Sequence, residues 1–415
     1  MASLVLSKEK PYYWDVFSGK RRCFGFLTLR LVLETSNTAA FMSGQPTTIY
    51  FKAVVEGVEP VREAGVEGVA PIVVVLIDTS GSMKGVKIEA AREAAYKVLE
   101  ALPDDSLVAI YMFSDTVELV GRCERLGMAC RGDLEEKIGG LRAKGGTNMY
   151  GALEKALAEF EKVASLNRPK RLFLLTDGKP TIGVIRSQAF YDISKKICSL
   201  GVEMTFFGVG EDYNEELLNG MLQACGRGVL EHIVSPEKIP EVMVRYAEKT
   251  ANIAGRSARL RIEKMPVDHL EIVSDLPVKT GQRDVVVEIG DVAVGEKKVV
   301  YGKLIIAPRG VKGRYKIATF HLETDAGRED VREFSVEFTD DMEEVQFRSK
   351  PEIAWEAMGL EALKKGDIDA LRQTLRHVGD EQLKRTLRQV VEAAEKGDRK
   401  TLRSLTTKTL RGTVE

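Results

Sequence analysis

The sequence predicts a doubly wound α/β domain that is inserted into an antiparallel β-sandwich and followed by a C-terminal α-helical region. Between residues 71 and 253, short apolar runs alternate with segments in which apolar residues recur at helical spacing. On both sides of this region the runs instead alternate between apolar and polar residues, as half-buried antiparallel strands do. A chain of 415 residues is long enough for two or three such domains.

The parallel sheet of the α/β domain is predicted from four runs that are apolar on both faces. These runs are residues 72–77, 107–113, 171–176 and 203–210. Strands of this kind need helices on both sides of the sheet, and the segments between the runs have the required helical periodicity.

Seven runs with period two predict the β-sandwich. They are residues 27–34, 47–56, 258–263, 284–289, 301–307, 315–323 and 331–338. Because two of them precede the α/β domain and five follow it, the simplest topology is one sandwich interrupted by that domain. The last part of the chain contains three apolar stripes at helical spacing. The predicted units are residues 1–66, 67–254, 255–340 and 341–415.

Composition and charge exclude some functional classes. The chain carries 61 Lys and Arg against 62 Asp and Glu, so it lacks the basic excess of a nucleic-acid-binding protein. The N-terminus has no signal-peptide pattern, and no apolar run is long enough to span a membrane. The five cysteines form no C-x-x-C pair, which predicts reduced thiols in a cytoplasmic protein. Only 14 Asn and Gln accompany the 123 charged residues, a balance common in thermophile proteins.

Oxygen-bearing side chains follow two of the predicted parallel strands. Asp78, Ser80 and Ser82 come after the first run, and Asp177 follows the third. Thr147 lies in a glycine-bearing loop that enters a helix. Because ligands bind beyond the carboxyl ends of the strands in open parallel sheets, these side chains are expected to converge. Two carboxylates and three hydroxyls suit Mg²⁺.

The motifs DTSGS, GGT and TDG, in this order, resemble those of the von Willebrand factor type A (VWA) domain, whose fold is Rossmann-like. The resemblance covers about residues 70–253. It implies an intact metal-ion-dependent adhesion site formed by Asp78, Ser80, Ser82, Thr147 and Asp177. In that family, the hydroxyls contact the metal directly, the aspartates often act through water, and a partner's carboxylate completes the coordination.

The resemblance therefore implies a non-catalytic module that binds a protein partner presenting an Asp or Glu side chain, with Mg²⁺, or alternatively Mn²⁺ or Ca²⁺, as the bound ion. The interrupted sandwich with a helical tail also resembles a bacterial and archaeal group of such proteins. One alternative is a subunit of an AAA+ ATPase or chelatase-type machine that uses the same site. A metal-dependent hydrolase is the minority alternative, because the site offers no histidine as a general base.

Two other features of the sequence allow a second interpretation. Asp78, Ser80 and Ser82 could instead cap the following helix, but Thr147 and Asp177 favour the metal site. Near the C-terminus, Thr406, Thr407 and Thr409 lie among basic residues and are candidates for phosphorylation. A phosphopeptide-reading protein would then be the partner of this tail.

Overall fold

The predicted α/β domain is present at the centre of the chain, between two groups of antiparallel strands. The structure is a computed structural model that describes residues 12–15, 20–23, 28–58, 70–265 and 268–410.

The strands, in chain order, are β1 (Tyr12–Asp15), β2 (Lys20–Cys23), β3 (Leu29–Thr35), β4 (Ala39–Phe41), β5 (Thr47–Gly57), β6 (Ile72–Asp78), β7 (Leu107–Phe113), β8 (Val117–Cys123), β9 (Lys170–Thr176), β10 (Val202–Val209), β11 (Val229–Ile233), β12 (Ile253–Lys264), β13 (His269–Ile272), β14 (Val278–Thr280), β15 (Asp284–Ala293), β16 (Lys297–Ile306), β17 (Gly313–Thr324) and β18 (Gly327–Thr339). The α-helices are α1 (Val86–Ala101), α2 (Met128–Gly139), α3 (Met149–Lys162), α4 (Ser187–Ser199), α5 (Glu215–Cys225), α6 (Ile239–Ala251), α7 (Met342–Phe347), α8 (Pro351–Lys365), α9 (Ile368–Leu375), α10 (Glu381–Glu395) and α11 (Arg399–Leu410).

The α/β domain contains a six-stranded sheet in the order β11-β10-β9-β6-β7-β8, and only the edge strand β8 is antiparallel to its neighbour. Helices α1, α2 and α6 cover one face, and α3, α4 and α5 cover the other. In the sheet, β6 lies between β7, which is the next strand in the chain, and β9, which comes later in the chain. The strand order therefore reverses beside β6, and a crevice for ligands is expected at the carboxyl ends of β6 and β9.

The seven strands predicted outside the α/β domain are all present, as β3, β5, β12, β15, β16, β17 and β18. They belong to two sheets, in the orders β14-β15-β12-β17-β18-β4 and β13-β16-β5-β3. Strand β5 pairs with β16 over ten residues, so strands before and after the α/β domain in the chain are hydrogen-bonded neighbours. The sheets share one apolar core, in which the rings of Phe51 and Phe320 meet edge to face.

The predicted helical region packs on the outer face of the four-stranded sheet. Val299 and Tyr301 of β16 contribute to the same apolar core as Leu360 of α8 and Leu387 of α10. Helix α11 contacts α8, α10 and the edge strand β11, so it reaches the α/β domain. The tail is thus part of the packed structure through residue 410.

The expectation of reduced cysteines is wrong for four of the five. Cys123 at the end of β8 is disulfide-bonded to Cys130 of α2, and Cys198 of α4 is bonded to Cys225 of α5. Their Cα atoms are 6.0 and 5.8 Å apart, within the normal range for disulfides. Residue spacing did not reveal these pairs because packing of the elements brings them together. Among the described residues, no helix is both long enough and apolar enough to cross a membrane.

Candidate metal centre

Asp78 is the last residue of β6 and lies at the floor of the crevice. Its side chain is fully buried, Oδ1 accepts a 2.8 Å hydrogen bond from the Ser80 N–H, and Oδ2 accepts one of 2.6 Å from the Thr176 hydroxyl. Burial raises the pKa of this carboxyl to about 6, and the nearby charge of Asp177 contributes, while the hydrogen bonds oppose the shift. Within the described part of the chain, no Lys, Arg or His forms an ion pair with Asp78. A buried carboxylate of this kind is well suited to a bound cation.

The two serines and Asp177 form a chain of hydrogen bonds beside Asp78. Ser82 Oγ donates to Asp177 Oδ1 at 2.6 Å, and Ser80 Oγ lies 3.0 Å from Ser82 Oγ. Because the single hydroxyl proton of Ser82 is given to Asp177, Ser80 must be the donor to Ser82. Ser80 and Asp177 are buried, whereas Ser82 is exposed. The site is therefore open to solvent on the side of Ser82.

Thr147 lies in the loop before α3, and hydrogen bonds connect this loop to a neighbouring loop on each side. The Thr147 N–H donates to the Thr181 hydroxyl at 2.9 Å, and the Thr147 carbonyl accepts from the Thr181 N–H at 3.0 Å. The carbonyl of Gly145 accepts a 2.9 Å bond from the N–H of Gly81, which ties this loop to the one after β6. Gly145 has φ +70°, and a Cβ there would lie 2.3 Å from a carboxylate oxygen of Asp115, so glycine is required.

The five predicted ligands converge on one crevice. A Cβ placed on Gly178 would lie 3.7 Å from Ser82 Oγ and 3.8 Å from Thr147 Oγ1, so both hydroxyls border the same small space next to Asp177. The described residues contain no group of three or more His, Cys, Asp and Glu that could hold a metal. The donors here are instead two carboxylates and three hydroxyls, which are hard oxygen ligands of the kind that Mg²⁺ prefers. The residues present therefore fit a divalent cation.

One charged residue of the site was missed by sequence reasoning. Lys87, in the first turn of α1, places Nζ 2.5 Å from Asp177 Oδ2. The Asp177 side chain is fully buried and that of Lys87 is 28% exposed. A lysine in a helical segment is ordinarily read as a solvated residue, so its position in the sequence gave no signal of this contact.

Exposed apolar residues lie close to the site. Val86 is the first residue of α1 and is 58% exposed, while Ile182, Val184 and Ile185, in the segment after β9, are 37%, 40% and 63% exposed. The N–H of Ile182 donates to the carbonyl of Thr147 at 3.3 Å, so this segment contacts the loop that carries a candidate ligand. Apolar side chains that cluster at a polar site are a common feature of interaction surfaces.

The candidate phosphorylation sites lie on α11, which packs on the helical region and β11 rather than on the loops at the carboxyl ends of β6 and β9. Thr409 is buried, and its hydroxyl donates to the carbonyl of Leu405 at 2.6 Å. Thr406 is half-buried, and the side chain of Thr407 lies outside the described atoms. A kinase could reach Thr409 only if α11 left its packed position.

Residues 73–241 match the family model described as the von Willebrand factor type A domain. The uncharacterised protein sll0103 of Synechocystis sp. is 24% identical over 237 residues, which are 54% of this chain and 54% of that protein. Human inter-alpha-trypsin inhibitor heavy chain H4 is 29% identical over 160 residues, which are 35% of this chain and 16% of that protein. The chain thus matches about half of the first relative and a smaller part of the second.

Two solved structures are similar over almost the whole chain. A von Willebrand factor type A protein from Catenulispora acidiphila aligns with a TM-score of 0.68 and 18% identity, covering 97% of this chain and 99% of that one. The ArnB paralog VWA2 from Sulfolobus acidocaldarius aligns with a TM-score of 0.61 and 22% identity, covering 94% and 100%. At these identities, the similarity shows a shared fold.

Proposed function

We propose that this protein binds a protein partner through a divalent metal ion, and that this ion is Mg²⁺. The proposal is supported by the match of residues 73–241 to the family model of the von Willebrand factor type A domain. Domains of this family are typically metal-dependent protein-interaction modules. The observation that carries the proposal is the convergence of two carboxylates and three hydroxyls in a crevice that is open at Ser82. When bound, the ion would supply a positive charge and a free coordination position for a carboxylate of the partner.

The charged and the neutral residues of the site would have different roles. Asp78 and Asp177 are buried and would supply the negative charge that attracts a cation into the crevice. Ser80, Ser82 and Thr147 would supply neutral oxygen ligands that leave part of the cation's charge uncompensated. The partner's carboxylate would approach from the side of Ser82, where the crevice is open to solvent.

The surface around the crevice favours an acidic partner segment with apolar neighbours. One exposed acid, Asp115, accepts a hydrogen bond from the N–H of Gly146 in the loop that carries Thr147. In the loops at residues 79–85, 144–148 and 178–186, the charged side chains are Lys84, Lys144, Lys179 and Arg186, and all four are exposed. They would attract a negatively charged segment and increase its association rate. The exposed apolar side chains beside them would then pack against the apolar residues that flank the partner's acid.

The contacts of the two acids disfavour catalysis. Both oxygens of Asp78 and both oxygens of Asp177 already accept hydrogen bonds or an ion pair, so neither acid is placed as a free general base. A phosphatase and nuclease assay of the pure protein with added Mg²⁺ tests this directly, and we expect no turnover above that of the Asp78→Asn variant.

Capture of partners from a lysate of the source cells tests the proposed function. The full-length protein should retain a partner in Mg²⁺, release it in EDTA and recover it when Mg²⁺ is restored. Thr147→Ala should lose the partner with little change in thermal stability, because it removes one hydroxyl. Ile185→Ser should weaken capture, whereas Val311→Ser should not, because Val311 is equally exposed but lies between β16 and β17.

One result of the capture experiment would contradict the proposal. A partner retained to the same extent in EDTA and by Thr147→Ala would show that binding does not pass through the metal centre. Alanine at Thr406, Thr407 and Thr409 provides a second comparison, since these changes should leave EDTA-sensitive capture intact.

A further inference from the structure

Lys87 and the candidate metal ligand Ser82 contact opposite oxygens of the Asp177 carboxylate. Asp177 Oδ1 accepts the hydrogen bond from Ser82, and Oδ2 lies 2.5 Å from Lys87 Nζ. Because the carboxylate is fully buried, water does not screen this contact from the side of Asp177. The ammonium group therefore neutralises a charge that the metal centre would otherwise use.

Lys87 lies at a position in its helix where a positive charge is unfavourable. Lys87 is the second residue of α1, and the preceding Gly85 gives the helix no side-chain cap. The N-terminus of a helix carries a partial positive charge, so a lysine in the first turn is disfavoured by the helix itself. Its attraction to Asp177 offsets this cost and determines where the ammonium group lies.

We infer that Lys87 is an internal cation that competes with the divalent metal for Asp177 and so sets the metal affinity of the site. The inference rests on the proposed function, because it requires that the crevice binds a divalent ion. Asp78 and Asp177 together carry two negative charges, and the ammonium group cancels one of them. Since affinity for a hard cation rises with the number of charged ligands, the site should hold Mg²⁺ less tightly than its donor set alone would allow.

The charge balance of the site also predicts that the partner contributes to metal binding. A carboxylate from the partner would restore the negative charge that Lys87 cancels, so metal and partner should each increase the affinity of the other. Removal of the ammonium group should make metal binding stronger and less dependent on the partner. Lys87 would thus couple metal retention to partner binding.

Calorimetric titration of the full-length protein with MgCl₂ alone, at constant ionic strength, tests the inference. Lys87→Met keeps most of the aliphatic side chain and removes the charge, so it should lower the Kd for Mg²⁺ at least tenfold. Lys87→Arg keeps the charge and should stay closer to the wild type. Lys195→Met is the matched control, because Lys195 is exposed on α4 and has no ion pair among the described residues, and its Kd should change less than twofold.

Thermal unfolding of the same variants supplies a second measurement. Without metal, Lys87→Met should melt below the wild type, because Asp177 loses its counter-charge; with Mg²⁺, it should gain more than the wild type does. An unchanged or weaker Mg²⁺ affinity in Lys87→Met, with binding retained by the wild type, would overturn the inference and leave the proposed function standing. Absence of Mg²⁺ binding in the wild type and in Lys87→Met alike would overturn both.

Discussion

Ser82 donates a 2.6 Å hydrogen bond to Asp177, a residue that lies 95 positions further along the chain. Ser82 is exposed and Asp177 is buried, so the bond runs from the solvent edge of the crevice to its floor. It also fixes the loop after β6 against the end of β9. The geometry of the candidate metal centre therefore depends on one exposed hydroxyl.

Replacement of Ser82 by alanine should weaken metal binding strongly and destabilise the fold only slightly. A hydrogen bond to a charged group contributes about 1.5–3 kcal/mol, and because Ser82 is exposed, water can replace part of this bond. We expect the free energy of unfolding to fall by about 1 kcal/mol and the Kd for Mg²⁺ to rise about tenfold or more. Urea denaturation and calorimetric titration measure the two effects.

Ser199→Ala is the matched control, since Ser199 is exposed at the end of α4 and its hydroxyl donates only to a backbone carbonyl. It should leave the Kd for Mg²⁺ unchanged. If Ser82→Ala also left the Kd unchanged, Ser82 would not be a metal ligand.

The raised pKa of Asp78 predicts how the metal-free protein responds to pH. Burial raises this pKa from 3.8 to about 6, so the folded state binds the proton more tightly than the unfolded state does. The resulting contribution to stability is fully present below about pH 3.8 and is lost as pH rises through about 6, a change of about 3 kcal/mol. In EDTA, Asp78→Asn should therefore gain stability relative to the wild type as pH rises from 4 to about 7.

Urea denaturation of both proteins at a series of pH values measures this difference. Asn keeps the side-chain oxygen that accepts from Ser80 and the approximate shape of the aspartate, so the variant should fold. A wild type that gains stability relative to Asp78→Asn over this pH range would show that burial does not dominate the pKa of Asp78.

Lys52 should be essential for docking the helical region. It is buried on β5, with Nζ 3.0 Å from Glu356 of α8 and 2.9 Å from Asp380 before α10, and these acids raise its pKa against the effect of burial. Lys52→Met would leave two carboxylates without their cation, which typically costs about 3–5 kcal/mol. Chemical denaturation should show this loss, whereas Lys97→Met, which breaks an exposed pair within α1, should have little effect. Equal effects of the two changes would contradict a structural role for the buried cluster.

The predicted domain boundaries can be tested with two fragments. Residues 68–254 contain all the strands and helices of the α/β sheet, so this fragment should fold alone and unfold cooperatively. Residues 256–415 lack β5, which pairs with β16 over ten residues, and would expose that edge. This fragment should aggregate when examined by size-exclusion chromatography. A monodisperse, cooperatively unfolding 256–415 fragment would overturn the interrupted-sandwich hypothesis.

Much of the fold could be predicted from the sequence because its strands have strong patterns. The run at 107–113 coincides with β7, and the approach of Asp78 to Asp177 follows from the adjacency of β6 and β9 in a parallel sheet. The edge strands β8 and β11 were not predicted. Both have irregular burial, since an edge strand is covered less completely than a central one, and their sequences lack a clear period.

Other features of the site depend on tertiary packing that no local pattern encodes. The ion pair between Lys87 and Asp177 joins residues 90 positions apart, and a first-turn lysine has no sequence feature that indicates a buried partner. The burial of Thr409 is similar, because the polar tail gave no indication that α11 packs against the rest of the structure.

Thermal unfolding with and without Mg²⁺ tests the metal centre most directly. A ligand that binds only the folded state at one hundred times its Kd stabilises that state by about 2.7 kcal/mol, so millimolar Mg²⁺ should raise the Tm of the wild type by several degrees. Asp78→Asn, shown to be folded by circular dichroism, should not respond, and the wild-type shift should shrink as the pH falls below about 6, where Asp78 is protonated. No shift in the wild type, or the same shift in Asp78→Asn, would contradict a divalent metal site formed by these residues.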